Sequence, residues 1–158
     1  MDRDVVYGIA SRVRKALEVF SARDKSGFTS IGPGFPSACC DDSSMILATY
    51  LAEQGYPGAT RVHGTHGGTQ DELNSHVWLT FRGLIIDITA DQFESYGQPP
   101  VIVEVNSAFH DGFERAEADE PAEFRKKFAL DHRWLGCFEA TYQQVKAIVD
   151  DLDQAASR

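Results

Sequence analysis

Apolar residues at Val5, Val6, Ile9, Val13, Leu17 and Phe20 recur at the spacing of one helical face and predict an amphipathic helix over residues 3–22. Residues 26–36 hold three glycines and two prolines and read as a loop. A second helical pattern runs over residues 40–54 and stops at Gly55, with Pro57 just beyond. On it Cys40, Ser44, Leu47 and Leu51 share a stripe, which places the Cys40 thiol on the inward side. Residues 59–62 read as a strand and 64–74 as a glycine-rich polar loop.

Two apolar runs follow, 76–81 and 84–89, separated only by Arg82-Gly83, so an antiparallel hairpin with a two-residue turn is expected. That turn sets Phe81 opposite Leu84 and Trp78 opposite Asp87. One face then carries Val77, Leu79, Phe81, Leu84, Ile86 and Ile88, all apolar, and a slip of one residue would scatter them. The other face brings His76 within one diagonal step of Asp87, close enough for an imidazole–carboxylate hydrogen bond. Residues 101–105 read as a further strand, and 120–128 and 139–152 as closing helices with Trp134 and Phe138 in the core between them.

The chain has 158 residues, 42% of them hydrophobic, enough for one domain over 1–158 with its own core. A formal net charge of −9 argues against nucleic acid or anionic lipid as partner. The acidic run at 114–123 reads as a solvated loop or helix entry. No apolar run is long enough to span a membrane and no signal peptide opens the chain, so a cytoplasmic location is expected. Three cysteines, two of them adjacent, do not make a disulfide framework and suit a reducing compartment.

Cys40 at a helix start, followed by His76 and Asp87 on one hairpin face, is the set a thiol nucleophile, its base and its orienting carboxylate require. The helix N-terminus favours a thiolate, and its free N–H groups can hold an oxyanion. Asp41 and Asp42 oppose the thiolate by like charge, so an imidazolium partner is needed. Trp78, beside His76 and Asp87, is a candidate substrate contact. Cys39 is the rival nucleophile and reads as structural; Asp91 is the alternative orienter. His110 and His132 read as surface or capping residues. His63 and His66 beside two adjacent cysteines make poor tetrahedral geometry, so neither a metal site nor a cofactor is expected.

Cys40-Asp-Asp-Ser-Ser, the apolar Ile46, Leu47 and Leu51, and the closing Gly55-Tyr-Pro57 resemble the nucleophile helix of the transglutaminase-like superfamily. Its second block, His-small-Trp followed by Asp-x-Thr, is similar to His76-Val-Trp78 and Asp87-Ile-Thr89. The resemblance covers residues 35–92. It implies a papain-like α+β fold: a Cys-bearing helix packed on an antiparallel sheet, with flanking N- and C-terminal helices. It also implies Cys40 as nucleophile, His76 as base and Asp87 as orienter, with a peptide or protein amide as substrate. The expected activity is cysteine-dependent acyl transfer, in a protease, amidase, deamidase or transglutaminase. The alternative is a non-catalytic peptide- or protein-binding module with the same fold.

Overall fold

The computed structural model describes residues 2–23 and 29–158, with the side chains of residues 116–121 excepted. Helix α1 (Asp2–Arg23) buries Val6, Ile9, Val13, Leu17 and Phe20, the expected stripe, while Val5 stays exposed at its edge. Helix α2 (Cys40–Glu53) ends at Gly55, whose φ of +94° is the left-handed conformation that closes a helix without a Cβ penalty. Of the expected 26–36 loop, residues 26–28 lie outside the described residues and the remainder is turns.

The sheet contains β1 (Thr60–Gly67), β2 (Leu73–Phe81), β3 (Leu84–Asp87), β4 (Ile102–Glu104) and β5 (Glu114–Pro121), in the order β4-β3-β2-β1-β5 with antiparallel pairing throughout. Phe81 pairs with Leu84 and Leu79 with Ile86, the register expected from the turn. Arg82 and Gly83 both take positive φ, +48° and +80°, the requirement of a type I′ hairpin turn. The uniformly apolar face is buried, and its Leu79, Phe81, Leu84, Ile86 and Ile88 join residues of α1, α2 and the long C-terminal helix α5 (His132–Ala156) in one core. The opposite face carries a smaller cluster of Val62, Trp78, Ile85 and Phe113, against which Phe109 of the short helix α3 (Ala108–Asp111) packs.

The structure corrects four expectations. The glycine-rich stretch at 64–74 is mostly strand, because its glycines let aromatic rings lie on the backbone: a Cβ at Gly64 would sit 2.7 Å from the Trp78 ring and 2.8 Å from Phe113 Cβ. The acidic run at 114–123 is strand over Glu114–Pro121, β5, at the edge of the sheet beside β1. Helix α4 is confined to Phe124–Lys127, since β5 holds the chain as far as Pro121. Trp134 and Phe138 both lie within α5; Phe138 is core and Trp134 is exposed. Among the described residues no helix is long and apolar enough to cross a membrane.

Candidate functional site

The site lies on the sheet face opposite the main core. His76 comes from β2 and Asp87 from the end of β3. The alternation that buries Val77 and Ile86 on one side puts these two polar residues together on the other. His76 Nε2 donates to Asp87 Oδ2 at 2.6 Å, and both side chains are essentially shut off from solvent. Asp87 Oδ1 accepts from the Thr89 backbone N–H at 2.9 Å, so the Asp-Ile-Thr sequence is itself part of the clamp. Gln92 donates through Nε2 to Thr89 O at 3.0 Å; its amide is 3.5 Å from His76 Nδ1, too long for a hydrogen bond of any strength.

Asp87 has a second partner. His110 of α3 donates through Nε2 to the same Oδ2 at 2.8 Å and is completely buried, which corrects its reading as a surface or capping residue. Ser107 caps α3, and its Oγ lies at hydrogen-bond distance, 2.6 Å, from His110 Nδ1. A carboxylate only accepts, so His110 carries a proton on Nε2, where it points at Asp87. The sequence signal was present but short: a Ser three residues before a His, in a four-residue helix without periodicity.

Burial opposes charge on His76, but the Asp87 carboxylate outweighs it and pushes the imidazole up to about 9. Burial likewise opposes charge on Asp87; His76 and His110 overcome it and hold the carboxyl well below its usual range. The buried pair therefore favours imidazolium and carboxylate. His76, Asp87 and His110 also place possible metal-binding atoms within 4.8 Å of one another. Both ring nitrogens, however, lie at hydrogen-bond distance from one carboxylate oxygen, so N–H···O bonds account for the cluster.

Cys40 is the first residue of α2 and half-buried. After burial and Asp87, the Cys40 thiol is the next group acting on His76, and it too favours the protonated ring. Among the described residues, no hydrogen bond of ordinary geometry joins the two: the bonded nitrogen of His76 is Nε2, and Nδ1 has only the Gln92 amide, 3.5 Å away. The structure thus pairs His76 with Asp87 directly, and among the described residues no hydrogen bond brings the Cys40 thiol onto that pair. No side chain caps the N-terminus of α2, leaving its first N–H groups unclaimed by such a cap. Arg61 of β1 forms a two-pronged salt bridge to Asp41, at 2.6 Å on each prong, and Asp42 accepts from the Ser30 N–H at 2.8 Å. Arg61 thus supplies the counter-charge to Asp41, next to Cys40.

The remaining candidates separate from the site. Cys39 is buried, donates to Pro36 O at 3.3 Å, and burial pushes its thiol up to about 11. Asp91 is held by both Nη atoms of Arg14, each at 2.7 Å, and does not orient His76. Trp78 is fully buried with its ring 5.7 Å from His76 and 4.7 Å from His110, so in this conformation it backs the site and has no surface to offer a substrate. His63 meets Ser75 and His66 meets Glu114 along β1. Compared with models of protein families, with curated proteins and with solved structures, the chain finds no match in any of the three.

Proposed function

We propose that this chain is a cysteine-dependent acyl-transfer enzyme of the transglutaminase-like, papain-like type, acting on a peptide or carboxamide bond. The observation that supports it most is the enclosed His76–Asp87 hydrogen bond on Nε2, which leaves Nδ1 to exchange a proton with Cys40. Cys40 Sγ, as a thiolate paired with the His76 imidazolium, attacks the amide carbonyl carbon. The tetrahedral oxyanion is held by N–H groups at the start of α2. The C–N bond then breaks, His76 delivers the proton to the departing nitrogen, and a thioester on Cys40 remains. Water releases a carboxylic acid and regenerates the thiol; an amine in its place gives transamidation. Three unpaired thiols suit a reducing cytoplasm.

Limiting iodoacetamide near neutral pH, with the modified residue identified by mass spectrometry, tests the nucleophile. Cys40 is expected to be modified well ahead of Cys39 and Cys137. Equal modification of the three thiols would favour the non-catalytic binding module instead.

A further inference from the structure

We propose that His110, held by Ser107, is a positioning residue that shares the Asp87 carboxylate with His76 and so loosens that carboxylate's hold on the His76 proton. The inference rests on the acyl-transfer reading for its purpose, but its physical content concerns His76 alone.

A catalytic imidazole must take a proton from the thiol and later give it to the leaving nitrogen, which requires basicity near the working pH. A dry Asp87 bonded only to His76 would favour imidazolium so strongly that the return step suffers. Three titratable side chains surround His76: Asp87 from β3 and Cys40 from α2, which favour its protonated form, and His110 from α3, whose ring centre is 6.2 Å away. The surrounding Trp78, Phe93, Phe109 and Phe113 rings and the Gln92 amide carry no charge. Among the described residues, Thr89 and His110 also donate to Asp87, and of the two only His110 shares Oδ2 with His76.

The hydrogen bonds to Asp87 have a definite direction, because a carboxylate only accepts. His110 Nε2–H donates to Asp87 Oδ2 at 2.8 Å, and Ser107 Oγ holds His110 Nδ1 at 2.6 Å. That oxygen also accepts from His76 Nε2 at 2.6 Å, so two imidazoles draw on the lone pairs of one atom. A second donor spreads the carboxylate's charge and reduces what reaches the first. Orientation of Asp87 does not depend on His110, because the Thr89 N–H holds the other oxygen at 2.9 Å. Removing the His110 donor should therefore strengthen the grip on the His76 proton, not release it.

The test is an NMR titration of the His76 ring nitrogens in ¹⁵N-histidine-labelled protein, with the resonances assigned by comparison with His76→Asn. In His110→Phe the ring fills the same space without an N–H, and the His76 midpoint is expected to rise by about half to one pH unit. His110→Gln keeps an amide donor and is expected to restore most of the original midpoint. Ser107→Ala leaves the imidazole in place and weakens it as a donor, so a smaller rise is expected; this variant decides the matter if His110→Phe does not fold. A midpoint that stays put or falls in the folded variant overturns the inference and leaves His110 a core residue only. Iodoacetamide kinetics on the same samples separate the two ideas. An unreactive Cys40 with a raised His76 midpoint would remove the acyl-transfer reading and keep the role of His110.

Discussion

His76 Nε2 and Asp87 Oδ2 lie 2.6 Å apart on adjacent antiparallel strands, enclosed on every side. Burial of two ionisable groups is tolerable here because each supplies the other's counter-charge.

This pair gives stability a defined pH dependence. His76 is raised from 6.5 to about 9, so its contribution is fully present below 6.5 and is lost as pH rises through 9. Asp87 is lowered from 3.8, so its contribution is present above 3.8 and is lost as pH falls through the depressed value. Asp87→Asn should cost about 3–5 kcal/mol where both groups are charged. The difference from wild type in urea unfolding should be largest between 3.8 and 6.5 and should shrink toward pH 9. A difference that stays unchanged from pH 6.5 to pH 9 would contradict an ionised pair.

Gly64→Ala should destabilise the protein by about 1–3 kcal/mol, because the new methyl meets the Trp78 ring at 2.7 Å and Phe113 Cβ at 2.8 Å. Gly8→Ala is the contrast: the position is exposed within α1, its Cβ meets nothing within 4 Å, and the change should add about 0.5–1 kcal/mol. Thermal unfolding of the two variants should move in opposite directions. Trp78 fluorescence should change only in the first.

The same glycines show why part of the fold was hard to read. The hairpin was legible because its turn residues and alternating faces point to one register, and His76 and Asp87 inherit their proximity from it. The stretch from Gly64 to Gly67 looks like a loop in sequence; it becomes a strand through the Trp78 and Phe113 side chains that cover it, and no local pattern encodes that cover. The acidic β5 needs β1 beside it before its charges read as an edge. His110 stayed hidden for a related reason: it reaches Asp87 only after β4 and α3 have folded back across the hairpin. Cys40, first in its helix, was legible from the stripe it shares with Leu47 and Leu51 and from the helix ending at Gly55.

Asp91 offers a check on the orienter. Its carboxylate satisfies the buried Arg14 guanidinium, which also donates to the Ile88 carbonyl at 2.7 Å. Asp91→Ala should cost about 1–3 kcal/mol of stability, the loss of hydrogen bonds to a charged group, and should leave the rate of Cys40 alkylation unchanged in the folded protein. A large fall in that rate would return Asp91 to the site.

The most direct test of the central claim is the second-order rate of Cys40 alkylation by iodoacetamide at neutral pH, in wild type and in His76→Ala, with folding of both confirmed by circular dichroism. If His76 activates Cys40, the rate should fall by about tenfold or more in the variant, at the weak end of what a positioned base supplies, while buried Cys39 stays slow in both. An unchanged Cys40 rate in folded His76→Ala would contradict the account, leaving His76 and Asp87 as a structural pair beside an ordinary thiol.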